Sequence, residues 1–205
     1  MSKITFIGDP HGQTKALEKC NKNANVLILG DVDLYGYYKW GNIARQFKHA
    51  VRFIDGNHDA FPNLFLDAKN PTEIEENFYH IPRGYIEGNT MYIGGGDSID
   101  KASRIKGISY FQEEKISEKQ AERILSINAE KIDTIISHDL PFSAVKYVVN
   151  NNIMMLSVSL FLENVLNHFN PYRWIFGHYH KSIDFSHLKC DFIGLNQEEN
   201  REIKI

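Results

Sequence analysis

Five short runs in this sequence carry side chains that bind metal ions and move protons. They are Gly8-Asp9-Pro10-His11-Gly12, Gly30-Asp31-Val32-Asp33, Gly56-Asn57-His58-Asp59, Ser137-His138-Asp139 and Gly177-His178-Tyr179-His180. Five of the nine histidines fall within them. Taken alone, each run has a plain structural alternative. Asp9 suits a helix N-cap with Pro10 after it, and Asp31 behind a glycine suits a turn. A lone His138 is more often a hydrogen-bonded core histidine than a ligand. His178 and His180 are two apart, so a strand would turn both imidazoles to one face. Together the runs offer imidazole nitrogen, carboxylate oxygen and amide oxygen. That mixture suits manganese, iron or zinc and disfavours an all-oxygen magnesium or calcium cage. Two divalent ions held this way need one carboxylate to bridge them. They would polarise a phosphate from both sides and generate hydroxide between them.

For these runs to converge, each must sit at the same end of its element. Each follows an apolar stretch that reads as a strand: Lys3 to Gly8, Asn25 to Gly30, Val51 to Asp55, Asp133 to Ser137 and Tyr172 to Gly177. The carboxyl ends of strands are where α/β sheets bind ligands. Helical stretches at Thr14 to Lys22 and Lys39 to Lys48 separate the first strands, which predicts a mainly parallel sheet covered on both faces. Tyr85 to Ile93 reads as a hairpin turning at Gly88-Asn89. Ser117-Glu118-Lys119-Gln120 has capping-box spacing and opens a helix to about Glu130. Asn150-Asn151-Asn152 reads as a loop, and Ile153 to Leu166, apolar almost all round, predicts a deeply packed helix. Ser182 to Phe185, Asp191 to Leu195 and Arg201 to Ile205 add late strands. The expected architecture is an α/β sandwich of two sheets flanked by helices, in one domain spanning 1–205. Pro62 to Arg83 and Gly94 to Glu114 read as loops that shape specificity.

Composition narrows the class. The chain has 205 residues, 42% of them hydrophobic and 24% charged, with a net charge of −3. That is enough apolar material for a sizeable core, and it excludes disorder. The negative balance argues against a protein held to nucleic acid or membrane by bulk positive charge, though not against a nucleic-acid or nucleotide substrate gripped locally. No apolar stretch is long enough to span a bilayer. Cys20 and Cys190 make no disulfide framework, and Met1 to Gly8 has no signal-peptide pattern, so a cytoplasmic protein is expected.

The five runs, in this order from Asp9 to His180, resemble the calcineurin-like metallophosphoesterase superfamily. Its pattern is Asp-x-His, Gly-Asp, Gly-Asn-His-Asp or Gly-Asn-His-Glu, a lone His, and Gly-His-x-His. The resemblance implies a four-layer αββα sandwich of two mixed β-sheets with two divalent metal ions, manganese first, at one edge. Carried over by position, it puts Asp9, His11 and His180 on one metal, Asn57, His138 and His178 on the other, and Asp31 on both. It makes His58 the proton donor to the leaving group, with Asp59 orienting and charging it. The chain departs from the phosphoprotein phosphatase branch in two ways. Gly30-Asp31-Val32-Asp33-Leu34-Tyr35-Gly36 lacks that branch's Asp-Arg-Gly, and His180, which that branch tends to lack, is present. Both lean toward the smaller phosphodiesterase- and nuclease-like members.

Arg104 offers a phosphate contact in place of the missing arginine, with Gly94-Gly95-Gly96 letting its loop approach. Equally, Lys101, Arg104 and Lys106 make a solvated charged loop. Tyr35, Tyr37, Tyr38 and Trp40 could stack a base or sugar, or pack their loop against the body. Rival readings are a phosphomonoesterase acting on phosphoproteins or metabolites, and a non-catalytic scaffold. Intact ligand positions weigh against the scaffold. Gly8-Asp9-Pro10-His11-Gly12 lacks the glycine spacing of a dinucleotide-binding turn.

Overall fold

The computed structural model describes residues 3–34, 40–59, 61, 64–149 and 154–205. Apolar side chains alternate along the first strands. In β1 (Lys3–Ile7) and β2 (Asn25–Ile28), Ile4, Phe6 and Leu27 join one core cluster, while Ile7, Val26 and Ile28 join another. A strand apolar on both faces has to be covered on both. One face of this sheet therefore packs on helices and the other on a second sheet.

The first sheet also contains β3 (Val51–Phe53), β4 (Thr72–Glu75), β5 (Phe78–His80) and β12 (Asn200–Lys204), in the order β12-β1-β2-β3-β5-β4. The second contains β6 (Tyr85–Glu87), β7 (Thr90–Ile93), β8 (Thr134–Ser137), β9 (Arg173–Phe176), β10 (Ile183–His187) and β11 (Cys190–Gly194), in the order β10-β11-β9-β8-β7-β6. In both, a parallel centre is bounded by an antiparallel pair at each edge. Phe6, Leu29, Ile54, Tyr92, Ile136 and Ile175 fill the space between the sheets. Helices α1 (Lys15–Glu18) and α2 (Trp40–Ala44) cover the outer face of the first sheet. Helices α3 (Glu118–Leu125), α4 (Phe142–Val145) and α5 (Ser157–Phe169) cover that of the second. Three apolar interfaces between four layers give the expected α/β sandwich of two mixed sheets flanked by helices.

Several local expectations hold. Tyr85 to Ile93 is a hairpin, with Gly88 at φ 63° in its turn. Ser117 and Gln120 form the capping box that opens α3, which ends at Leu125, short of the expected Glu130. Others need correction. Pro62 to Arg83 is not all loop, because β4 and β5 complete the first sheet. β4 has one apolar residue, Ile74, and a bulge against β5, so the pair shows no strand alternation, although Phe78 in β5 is fully buried. The long apolar helix begins at Ser157, later than expected, and Met154 and Met155 before it are exposed. Leu156 is extended (φ −99°, ψ 151°), and Asp97 accepts from Ser157 Oγ and the Val158 N–H, which fixes that start. Trp40 is buried and stacked on Phe78 at 5.4 Å, so it packs the body and is no platform for a base. Tyr35, Tyr37, Tyr38, Asn150-Asn151-Asn152, Lys39 and Ile153 lie outside the described residues.

Candidate metal centre

The parallel strands bring the five runs together. Asp9, Asp31 and Asn57 follow β1, β2 and β3, and His138 and His178 follow β8 and β9. Glycine makes the approach possible. A Cβ on Gly56 would lie 2.2 Å from Asp31 Oδ1, and one on Gly177 would lie 2.3 Å from Asp9 Oδ1. Each aspartate occupies the space that a side chain on the neighbouring loop would fill.

The backbone is strained where the side chains converge. His11, Asp31, Asp33, His178 and His180 all have left-handed φ, at 43°, 51°, 56°, 66° and 50°. Each such residue costs on the order of 1 kcal/mol, and such strain clusters at functional sites. This corrects the expected basis for the His178–His180 pairing. β9 ends at Phe176, so left-handed turns, not strand alternation, aim these imidazoles.

The metal-binding atoms crowd together. His138 Nδ1 donates to the Leu29 carbonyl at 2.7 Å, which leaves the Nε2 lone pair pointing inward. Asn57 Nδ2 donates to Ser98 Oγ at 3.1 Å, which turns Asn57 Oδ1 inward too. These two acceptors face each other at 3.1 Å. His178 Nδ1 is 3.2 Å and Asp31 Oδ1 3.4 Å from the same His138 Nε2. On the other side, His11 Nε2 and His180 Nε2 are 3.0 Å apart, with Asp31 Oδ2 3.7 Å from the first and Asp9 Oδ2 3.5 Å from the second. Asp9 is fully buried, and neither of its carboxylate oxygens has a hydrogen-bond partner. A buried, unpartnered carboxylate is costly unless a cation neutralises it. Two donor groups that could hold a metal share Asp31: Asp31 with His11 and His58, and Asp31 with His138 and His178, each set of ligand atoms within 4.8 Å.

The titration pattern agrees. Burial pushes Asp9 well above the usual carboxylate range, and Asp31 adds to it. Burial alone would raise Asp31 too, but the surrounding histidines, His138 foremost, outweigh it and hold Asp31 low. Burial lowers His11 to about 4 and also lowers His138 and His180. These imidazoles are therefore neutral, the state a metal ligand needs. The donor set and the orphaned Asp9 fit a pair of divalent cations.

His58 lies at the rim, its ring 4.9 Å from that of His11. The expected Asp59–His58 contact is not made. Asp59 accepts from the backbone N–H groups of Gly56 (2.7 Å) and Asp33 (2.9 Å), tying the second and third runs together. Burial, with Asp31 next, raises its pKa. The neighbour of His58 is Arg104, whose Nη2 donates to His58 Nε2 at 2.7 Å while its Nε pairs with Asp100 at 2.8 Å. Arg104 thus reaches His58 from an otherwise exposed loop, with its own side chain largely covered.

Supporting residues that the sequence reading missed lie just behind. Ser98 Oγ and its N–H both donate to Glu114, which fixes the hydroxyl that receives Asn57 Nδ2. Asp55, next to Gly56, accepts from His80 and twice from Arg83. Arg83 also donates to the carbonyls of Glu113, Glu114 and Lys115. Asp55 sat beside a visible motif, whereas Arg83 and Glu114 left no local signal. Gly96 packs against His138, as expected of the glycine-rich loop.

No curated protein matches the chain. The family model for calcineurin-like phosphoesterases matches residues 2–182, which takes in all five runs and β1 to β9, and stops short of β10, β11 and β12. On that match, together with the sandwich and its cluster of buried aspartate and histidine donors, the chain belongs to the calcineurin-like phosphoesterase family.

Proposed function

We propose that the chain, as one domain over 1–205, hydrolyses phosphate esters at a two-metal centre and prefers phosphodiesters. Asp9, His11 and His180 hold one cation, Asn57, His138 and His178 hold the other, and Asp31 serves both. The observation that carries this reading is the sharing of Asp31 by two donor groups. Manganese is the first choice, and iron and zinc match the same donors. When bound, the ions supply Lewis-acid polarisation of the phosphoryl group and activation of water.

The chain's own residues do the rest. His58 Nε2 delivers a proton to the leaving-group oxygen. Guanidinium only donates hydrogen bonds, so while Arg104 occupies Nε2 that position holds a lone pair and no proton. The role therefore requires Arg104 to exchange His58 for the phosphate, which would couple substrate binding to arming of the acid. Asp100 restrains Arg104, and Asp59 acts as a positioning residue for the loop that carries His58. The free, buried Cys20 and Cys190 support a reducing cytoplasmic setting. Among the described residues, no helix is long and apolar enough to cross a membrane.

The test is hydrolysis of bis-p-nitrophenyl phosphate by metal-stripped protein, with and without added Mn²⁺. Metal-dependent turnover supports the reading. Folded, metal-loaded protein that cleaves p-nitrophenyl phosphate but not the diester would transfer the assignment to monoesters. Protein that binds no metal would overturn it in favour of a scaffold.

A further inference from the structure

The donor cluster opens into a cavity of about 440 Å³, the size of a small-molecule site. Asp31, Asn57, His178 and His180 line one part of it, with His58 and Arg104 beside them. Most of the remaining lining is apolar: Ile99, Val145, Val149, Met154, Leu156 and the ring of Tyr179. Its polar atoms are already committed. The Tyr179 hydroxyl donates to Asp139 at 2.7 Å, and Ser159 Oγ donates to the Leu156 carbonyl at 3.1 Å. Asp97 accepts from Ser157 and Val158 at the start of α5, and Asp100 holds Arg104. Arg104 is the one arginine or lysine among the described lining residues.

From this lining we infer that the phosphate ester carries an apolar organic group, aryl or alkyl, seated against the Val145–Val149–Met154–Leu156 wall. The inference rests on the phosphoesterase reading above and names the substrate class for it. A polynucleotide or polyphosphate needs a series of cations for its successive charges. Among its described lining residues this cavity offers Arg104 as its one basic side chain, and Asp97 and Asp100, paired with Lys115 and Arg104, add carboxylates where a second phosphate would need cations. A nucleobase needs donors and acceptors for its edges, and among the described residues Asp97, Ser159 and Tyr179 already hold partners within the chain. Ile99 and Met154 are 72% and 58% exposed at the same cavity, so a bound apolar group would remove them from water. Methionine also adapts its shape to such a group.

The experiment is calorimetric titration of the Mn²⁺-loaded protein with methylphosphonate, butylphosphonate, phenylphosphonate and a nucleoside phosphonate, none of which has an ester bond to hydrolyse at the varied group. Affinity should rise from methyl to butyl and phenyl by about tenfold or more. The heat-capacity change should become more negative in the same order, as apolar burial requires. The Val149→Thr/Met154→Gln double variant should collapse the phenyl-to-methyl ratio. Met154→Gln alone, at an exposed position, should reduce it without threatening the fold. Equal affinity across the alkyl and aryl series would overturn this inference and leave the phosphoesterase reading intact. Tighter binding of the nucleoside phosphonate, unaffected by the variants, would overturn it in favour of a nucleotide. Failure of every phosphonate to bind metal-loaded protein would overturn both.

Discussion

Asp9 and Asp55 are both fully buried beyond the ends of strands in the first sheet, yet they have opposite fates. Asp55 has both carboxylate oxygens taken, one by His80 and the other by Arg83. Burial alone would raise its pKa, but Arg83 and His80 outweigh that and hold it low. Asp9 has neither oxygen taken, and burial with Asp31 drives it high. The first cluster is complete within the chain. In the second no described arginine or lysine reaches Asp9, and the fold around it tolerates five left-handed residues. One fold thus carries two buried acidic clusters, one closed by its own arginine and one left open for a cation.

The largest effect should come from opening the closed cluster. Arg83→Leu leaves buried Asp55 with His80 as its remaining partner, and should cost about 3–5 kcal/mol in denaturant unfolding. Because Asp55 is held low, its contribution is present at neutral pH and lost as pH falls through the acid range. The gap between wild type and variant should therefore narrow toward low pH. A loss below about 1 kcal/mol would mean the cluster is not a structural clamp.

Next comes the shared carboxylate. Asp31→Asn removes the only donor common to both groups, and should lower turnover by on the order of a thousandfold while loosening both metals. Elemental analysis showing one ion fully retained would contradict the shared role. His58→Ala should follow, with a loss of about a hundredfold, as for a missing general acid, and with metal content unchanged. Loss of metal in that variant would instead make His58 a ligand, an arrangement that its place beside His11 and Asp31 allows.

The open cluster was far more legible in the sequence than the closed one. Its residues come in short runs with glycines, because ligands must sit on turns between close-packed loops. Those turns need Gly56 and Gly177 to have no side chain. The strands before them are apolar on both faces, which revealed the layered fold. Arg83, His80 and Glu114 were not legible, since each acts at long range in sequence: Arg83 reaches back to Asp55 and forward to Gln120. The Asp59–His58 contact failed for a related reason. Adjacent residues on a tight turn point apart, so Asp59 reached backbone amides and Arg104, 46 positions away, reached His58. β4 was lost because Ile74 is its one apolar residue and a bulge breaks its register against β5.

The smallest effect is the one that separates the two clusters most cleanly, because its sign should reverse. In chelator-treated protein, ionised Asp9 is a buried charge with only distant contacts, His138 at 3.6 Å and His180 at 3.5 Å. Its folded pKa is raised, so the folded state holds a proton that the unfolded state releases. Stability should then fall as pH rises from the ordinary carboxylate range, about 4, through the raised value. Asp9→Asn removes that charge and should stabilise the metal-free protein at pH 8 by on the order of 1 kcal/mol. At pH 4 or below, where folded wild type is protonated there, the difference should vanish. Adding Mn²⁺ at a hundred times its dissociation constant should stabilise wild type by about 2.7 kcal/mol. The variant, with a weakened site, should gain less and become the less stable of the two. Asp55→Asn should destabilise under both conditions, since its partners belong to the chain and do not leave with the metal. Thermal melts of the three proteins with and without chelator decide the matter. If Asp9→Asn destabilises the chelated protein as Asp55→Asn does, then Asp9 is a structural carboxylate and the open cluster is not reserved for a cation.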